Sequence, residues 1–265
     1  MGVAIDTILG HAVNPGATYT AVTAATGTPL QVRNFSTADW AALEMIVRRG
    51  AANGAVRIRS PLLADDVQGI KFLTSESPSA WVIPPEYAQK VQPGDTLTVE
   101  LTGGTAETDV AVYSIYYSNL PGASARLHMP ADIVGNVGNI KPLTVAVANS
   151  ATIGNWTDTL ITTGDKLVKA GKTYAVLGYL TTAALAVVGV RGSEFNNFRV
   201  CGPGSTNSMV TAEWFSWISA KHNTPHIPVF NGSNRTAVYV STADDAASST
   251  STVTLILAEL STSVS

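Results

Sequence analysis

Two stretches of the chain follow the same pattern although few of their residues are identical. The first begins at Gln92 and reads QPGDTLTVELTGGTAETDVAVYSIYYSNL, and the second begins at Gly232 and reads GSNRTAVYVSTADDAASSTSTVTLILAEL. They align without a gap, and each contains a short alternating segment, a polar loop and a longer apolar segment. Alternation of apolar and polar residues is typical of a half-buried strand. A repeat of this length constrains the fold more than any single motif, because both halves must then form similar structures.

The repeat extends upstream of these stretches. ATGTPLQV aligns with TTGDKLVK in the second half, which places Tyr19 on Trp156, and WAALEMIV aligns with YAVLGYLT. The segment ADWAALEMIVRRG has the apolar spacing of a helix, but its aligned partner is rich in Tyr, Val and Thr, a composition typical of strands. We therefore predict a strand over 41–48, followed by a tight turn at Asn53-Gly54.

Short strands with turn signals about every ten residues run through both halves, as in antiparallel sandwiches. Parallel α/β folds would need alternating helices. The fold class is therefore all-β, with two tandem eight-stranded jelly-roll β-sandwiches produced by an internal duplication. We expect the first sandwich over 1–122, a linker over 123–142 with a short helix or arm around Met129–Val134, and the second sandwich over 143–265. The predicted strands are 3–9, 18–24, 41–48, 55–60, 69–74, 80–84, 96–102 and 109–118 in the first half, and 143–148, 158–163, 174–180, 185–191, 198–201, 209–218, 226–230, 236–241 and 252–259 in the second.

The chain carries little charge for its size. Charged residues make up only 13% of it, while apolar residues make up 45%. Soluble domains normally contain about a quarter charged residues, and charge is depleted in buried interfaces. We therefore expect a surface of uncharged polar residues, much of it buried against other subunits. The net charge of −3 provides no basic field, so no sequence-specific nucleic-acid partner is expected.

The cysteine content and the first residues limit the cellular context. Cys201 is the one cysteine in the chain, so an internal disulfide is excluded. The first residues lack the basic segment of a secretory signal, and no run of about 18 apolar residues is present. We therefore expect neither secretion nor a membrane-spanning helix.

No motif in the sequence predicts catalysis. It contains no Gly-x-Ser-x-Gly nucleophile elbow, and we expect a protein that is not an enzyme, with no catalytic, cofactor-binding or metal-binding residues. His222 and His226 have the spacing of a helical metal pair, but Pro225 between them excludes a regular helix. We interpret both as loop histidines that are packed or solvated.

Two pairs of adjacent acids fall in predicted loops. They are Asp65-Asp66 and Asp244-Asp245. Neither pair has the alternating spacing of a calcium loop, so we interpret both as solvated loop charge.

Three tryptophans are candidates for an interface or a ligand platform. Trp214 and Trp217 lie in the predicted strand 209–218, where their odd spacing would direct them to opposite faces. One would then fill the core. The other, like Trp156, would anchor an interface or stack on a sugar.

Four arginines form a basic hairpin around the predicted turn: Arg48, Arg49, Arg57 and Arg59. Contact with nucleic acid is one interpretation of this hairpin. The favoured one is a polar strand face that pairs with acids of a neighbouring subunit.

This architecture resembles the double jelly-roll major capsid proteins of tailless bacterial and archaeal viruses. The resemblance covers nearly the whole chain and rests on the paired endings GDTLTVEL…DVAVYSIYY and NRTAVYVS…STVTLILAE. It implies a viral structural protein whose three copies form a pseudo-hexameric homotrimer, a capsomer that tiles an icosahedral shell, often over an internal membrane. It implies no catalytic residues, because the family has none. This chain is shorter than the family pattern and lacks its long loop insertions.

The partners implied by the resemblance are further copies of the chain, in the homotrimer and in neighbouring capsomers, together with other virion proteins and an internal membrane. The implied location is the virion, assembled in the host cytoplasm. Two alternatives stay open: a bacteriophage decoration or appendage protein, and a tandem β-sandwich carbohydrate-binding module with a tryptophan platform. Self-assembly into a trimer or shell favours the capsid subunit, and a glycan-binding monomer favours the binding module.

Overall fold

A computed structural model describes most of the chain, and most of its regular structure is β-strand. The described residues are 2–24, 32, 41–50, 54–62, 67–74, 79–83, 89–92, 94–103, 108–120, 126–161 and 167–261. The strands are β1 (Gly2–Val13), β2 (Thr20–Ala21), β3 (Thr23–Ala24), β4 (Ala41–Arg49), β5 (Gly54–Arg59), β6 (Ile70–Thr74), β7 (Ser79–Val82), β8 (Gln89–Val91), β9 (Thr98–Thr102), β10 (Thr108–Leu120), β11 (Leu127–His128), β12 (Val137–Ala148), β13 (Thr157–Leu160), β14 (Thr173–Thr181), β15 (Val187–Gly192), β16 (Arg199–Pro203), β17 (Ile227–Asn231), β18 (Val238–Ala243) and β19 (Thr250–Leu260). The α-helices are α1 (Pro130–Ile133), α2 (Ser208–Thr211) and α3 (Trp214–His222).

The strands form two sheets in each half of the chain. In the first half, a six-stranded sheet has the order β3-β1-β10-β4-β7, with β8 also paired to β4, and a four-stranded sheet has the order β2-β9-β5-β6. In the second half, the orders are β11-β17-β14-β19-β12 and β13-β18-β15-β16. In both larger sheets, the first long strand pairs antiparallel with the last long strand, which pairs with the strand at the centre of the half.

The first core cluster lies between the two sheets of the first half. Leu43 and Tyr113 of the larger sheet pack there with Val56, Ile58 and Leu101 of the smaller one, all of them almost fully buried. Burial of large aliphatic and aromatic side chains contributes about 1.5–3 kcal/mol each to folding.

The second core cluster extends from the sheets of the second half to the other face of the β1-β10-β4 sheet. Ile5, Met45 and Val112 from that face join a core that includes Val188 and Leu255 of the second half. The central strands of the first half are therefore buried on both faces. None of the helices in the described ranges is both long and apolar enough to cross a membrane.

The strand predicted over 41–48 is confirmed as β4. Every residue from Ala41 to Arg48 is buried, because one face packs on the first core and the other on the second. A strand buried on both sides loses its alternation of apolar and polar residues, which explains the helix-like spacing of this segment. Gly54 begins β5, as the turn signal predicts, and Asn53 lies outside the described residues.

The strand predicted over 209–218 is wrong, because the chain forms α2 and α3 there. The Asn207 side chain accepts a hydrogen bond from the Met209 amide and caps α2, as asparagine does at helix starts. Asn223 ends α3 in the left-handed conformation, with φ of 52°. The aromatic residues of this segment favour strands by composition, and the two asparagine caps are the signals that indicate helices.

The first long strand of the second half begins earlier than the strand predicted over 143–148. Strand β12 begins at Val137, inside the linker predicted over 123–142, and a short helix, α1, occupies the predicted position around Met129–Val134. The two-residue strand β11 and the three-residue strand β8 are absent from the predicted set. Both are too short for an alternating pattern to indicate them.

Removal of one large side chain from α3 tests whether this helix is part of the core. Phe215 is 1% exposed, packs on Tyr179 and lines a cavity beside Ile5 and Met45 of the first half. We expect Phe215→Ala to lower the free energy of unfolding by about 3–5 kcal/mol, as for other buried aromatic residues. Urea unfolding measures this change. Met209→Ala, at a side chain 93% exposed, is the matched control and should change it by less than about 0.5 kcal/mol; similar effects for both variants would place α3 outside the core.

Candidate functional site between the two halves

The outward face of the β1-β10-β4 sheet is covered by the second half of the same chain. Strand β1 packs against β16, and α3 lies over the same face. A cavity about the size of one water molecule remains between Ile5, Cys201 and Ile218. Burial raises the pKa of the Cys201 thiol to about 12, so this side chain is a neutral packing group rather than a nucleophile.

A buried carboxylate lies at the centre of this contact. The register between β10 and β4 shifts between Ser114 and Ile115, which leaves Glu44 as an extra residue in β4 and directs it toward the second half. Its Oε2 atom lies 2.9 Å from Nε2 of His226, and its Oε1 atom lies 3.9 Å from Nδ1 of His222. All three side chains are almost fully buried.

His226 is held by contacts on both ring nitrogens. Its Nδ1 lies 3.0 Å from the carbonyl oxygen of Thr224 and 3.1 Å from the Thr224 hydroxyl, opposite the contact with Glu44. Burial disfavours the charged imidazole, but the charge and hydrogen bond of Glu44 outweigh it and raise the pKa of His226 above its ordinary value. The ring of Tyr116 stacks on His226, with 5.8 Å between the ring centres. Burial raises the pKa of the Tyr116 hydroxyl well above its ordinary value.

The sequence interpretation of the two histidines is partly right. They are packed, as expected, but His222 ends α3 and His226 precedes β17, so the structure brings them together on Glu44. Within the described part of the chain, no group of three or more His, Cys, Asp or Glu side chains is arranged to hold a metal ion. Glu44 and His226 form a buried ion pair that joins the halves.

A second ion pair joins the halves at the end of β4. The Nε atom of Arg49 lies 2.6 Å from Oδ1 of Asp244 and 2.6 Å from Oδ1 of Asp245. Asp244 also accepts a hydrogen bond from Ser249. Burial and the neighbouring Asp245 raise the pKa of Asp244 from 3.8 to about 6. The interpretation of this pair as solvated loop charge is therefore wrong for Asp244, which is 4% exposed, while Asp65-Asp66 lie outside the described residues.

The other predicted arginines also contact groups of their own chain. Arg57 and Arg59 both donate to Glu100 on the neighbouring strand, at 2.5 and 2.9 Å. Arg57 also lies over the ring of Tyr19, 4.0 Å from its centre. Arg48 is 1% exposed and lies on the first-core side of β4. Arg49, Arg57 and Arg59 are thus paired with carboxylates of the same chain. Their pairing with acids of a neighbouring subunit stays a prediction.

The second half repeats this aromatic, arginine and carboxylate cluster. Trp156 lies under the guanidinium of Arg199, 4.7 Å from its ring centre, and both Arg199 and Arg191 donate to Asp158 at 2.7 Å. Burial opposes ionisation of Asp158, but hydrogen bonds from Ser241 and the arginines lower its pKa below the ordinary value. One face of Trp156 is thus occupied within the chain.

The remaining tryptophans share a helix rather than a strand. Trp214 is 2% exposed and fills the core, whereas Trp217 is 43% exposed, with its ring 5.4 Å from that of Trp214. The division into one core and one surface tryptophan agrees with the prediction. The cause is different, because α3 has one buried face and one open face.

The sequence contains a signal for the central ion pair that does not depend on alternation. Glu44 is a lone acid inside an apolar run, AALEMIV, and a charge in a buried strand requires a partner. No local pattern identifies that partner, because His226 is 182 residues away along the chain.

No protein-family model and no curated protein matches the chain. Among solved structures, the virus-like particle of the Macrobrachium rosenbergii extra small virus is 13% identical over 44% of this chain and 80% of its own, with a TM-score of 0.23. The PBSX exported protein XepA is 9% identical over 96% of this chain and 86% of its own, with a TM-score of 0.26. The MCP of STIV is 6% identical over 98% of this chain and 97% of its own, with a TM-score of 0.23. All three TM-scores are low, so these likenesses assign neither fold nor function.

Loss of the central carboxylate tests the ion pair. We expect Glu44→Gln to lower the free energy of unfolding by about 1–3 kcal/mol, because the buried imidazole of His226 loses its hydrogen-bonded carboxylate partner. Chemical unfolding at neutral pH measures this change. Glu259→Gln removes an ion pair with Lys141 that is partly open to solvent and should cost less than about 1 kcal/mol. Equal effects of the two variants would contradict the role of Glu44.

The pH dependence of stability follows from the two raised pKa values. For His226, stability from the raised pKa is complete below the ordinary value of 6.5 and is lost as pH rises through the folded pKa. The stability that the raised pKa of Asp244 contributes is lost as pH rises from 3.8 to about 6. Glu100 and Asp158 have lowered pKa values. The stability that they contribute is lost only as pH falls toward their pKa values in the folded state. His128 acts in the opposite direction below pH 6.5, because burial lowers its pKa. We therefore expect the free energy of unfolding to fall as pH rises above 6.5, where His226 causes the decline. Below about pH 6, Asp244 adds a decline that His128 opposes.

Variants of Asp244 and His226 test whether these two residues cause the pH dependence. Asp244→Asn should flatten the decline below about pH 6, and His226→Gln should flatten it above that value. Denaturant unfolding at each pH is the measurement. A wild-type stability that stays constant or rises as pH increases above 6.5 would contradict the assignment.

Proposed function

We propose that this protein is a viral capsid subunit built from two jelly-roll sandwiches, which arose by internal duplication. The first unit spans about 1–122, and the second begins near β12. Three copies form a pseudo-hexameric homotrimer that tiles an icosahedral shell in the virion. The partners in this proposal are further copies of the chain, other virion proteins and an internal membrane.

The repeated strand order is the observation that carries this proposal. The series β1-β10-β4 corresponds to β12-β19-β14, and β2-β9-β5-β6 corresponds to β13-β18-β15-β16. These strands come in the same order along each half, and they lie in the same order in its two sheets. This supports a duplicated sandwich, and the resemblance found in the sequence connects such a pair with shell building.

The contact between the halves supports an assembling role. The second half covers one face of the first with a shared core and two ion pairs, so the two units form one rigid building block. A building block with two similar units turns three copies into six similar wedges, and closed symmetry then needs few kinds of interface. The low charge content of 13% suits large buried contacts between copies.

Mass and microscopy test this function. We expect light scattering after size exclusion to give the mass of three chains or of a larger shell, and negative-stain images to contain hexagonal particles. These measurements use the purified full chain at neutral and mildly acidic pH. A monodisperse monomer under all conditions would overturn the proposal. Glycan binding by that monomer, lost in Trp217→Ala, would replace it with the carbohydrate-binding alternative.

A further inference from the structure

The two halves carry matching pairs of hydroxyl groups, one buried and one exposed. Thr7 of β1 lies opposite Ser114 of β10, and their hydroxyl oxygens are 3.0 Å apart in a buried hydrogen bond. Thr144 of β12 lies opposite Thr254 of β19, and their hydroxyl oxygens are 3.1 Å apart in an exposed one. Both pairs join the first and last long strands of a half, on the face directed away from the core of that half.

The buried pair is covered by strand β16 of the second half. The Cys201 thiol interacts with the Thr7 side chain and lines the same cavity as Ile5 and Ser114. Strand β16 is the outermost strand of its four-stranded sheet, and β1 packs against it. The first half therefore has this face closed by an outer strand of the second.

The exposed pair lies in a face without charge, which we call the acceptor face. Its outward side chains on β12 and β19 include Pro142, Thr144, Ala146, Thr254 and Ile256. The end of α2 bounds it, because the backbone of Thr211 lies over Gly178, the residue opposite Ile256.

The first half has its own outermost strand, β6, in the position that β16 has in the second. Arg57 pairs in register with Lys71, and Arg191 pairs with Arg199. Two residues further along, Ala55 lies opposite Leu73, and Gly189 lies opposite Cys201. Leu73 thus takes the position of Cys201.

Leu73 and Cys201 differ in what covers them. Cys201 is 4% exposed, whereas Leu73 is 90% exposed. The register position that packs against another sheet in the second half is therefore open to solvent in the first half. We call Lys71 and Leu73, on the outward side of β6, the β6 edge.

We propose that the acceptor face of one copy binds the β6 edge of a second copy, with Leu73 packed near Thr144 and Thr254. This inference rests on the proposed function and identifies the surfaces that would join its subunits. Each copy carries one acceptor face and one β6 edge, so the contact is head-to-tail and closes only as a ring. This contact between two copies would resemble the packing of β16 on β1 within one chain.

Cross-linking tests which surfaces meet. The variant Leu73→Cys/Thr144→Cys is treated with a short bis-maleimide, and the single variants Leu73→Cys and Thr144→Cys serve as controls. Cys201 is buried with a raised pKa, so it should not react. We expect covalent species of two and three chains, and no larger ones, from the double variant in isolated trimers. The single variants should give single chains.

A charge at the β6 edge supplies a second measurement. Leu73→Asp should raise the dissociation constant of the assembly by about tenfold or more, because the contact would bury an unpaired carboxylate. Val13→Asp, at another exposed apolar residue outside both surfaces, is the matched control and should leave it unchanged. Sedimentation velocity gives both constants, and circular dichroism checks that each variant is folded.

The outcomes separate this inference from the proposed function. Trimers that cross-link as described, and that Leu73→Asp weakens, support the inference. Trimers that form normally without cross-links, and that tolerate Leu73→Asp as well as Val13→Asp, overturn it and leave the proposed function standing. A wild-type chain that stays monomeric overturns both.

Discussion

The structure depends on one sheet that is buried on both faces. Strands β1, β10 and β4 pack on the first core with one face and on the second half of the chain with the other. Removal of the second half would expose a broad apolar surface around Ile5, Met45 and Val112, at a cost of about 25 cal/mol for each Å². The two halves therefore share one core, and the second half buries an apolar face of the first.

Buried charge gives this contact its specificity. An apolar face alone would allow several packing arrangements, but a buried carboxylate at Glu44 is tolerated only where the His226 imidazole meets it. Arg49 adds a second fixed point at Asp244. Titratable groups also make the contact sensitive to pH, because the fold favours the protonated forms of both His226 and Asp244.

Much of the fold could be predicted from the sequence, because strands with one solvated face alternate clearly. The comparison of the two halves even identified β4 correctly, against the helix-like spacing of its residues. Local composition failed at α2 and α3, where tryptophan and phenylalanine favour strands but the helix caps decide. The partners of Glu44 and Arg49 could not be predicted, since residues nearly 200 positions apart meet only through the packing of the halves. The similar pattern of the two halves was visible in the sequence, but the difference in exposure between Leu73 and Cys201 required coordinates.

The central claim concerns the outward face of the larger sheet in each half. In the first half, this face is covered by the second half of the same chain. In the second half, it is covered by another copy of the chain. A cryo-electron microscopy reconstruction of the purified assembly tests it most directly. The account predicts a closed ring of three chains with six similar units, in which β6 of each chain lies on β12 and β19 of the next. A reconstruction in which the β12 and β19 face is open to solvent, or is covered by another part of the chain, would contradict it.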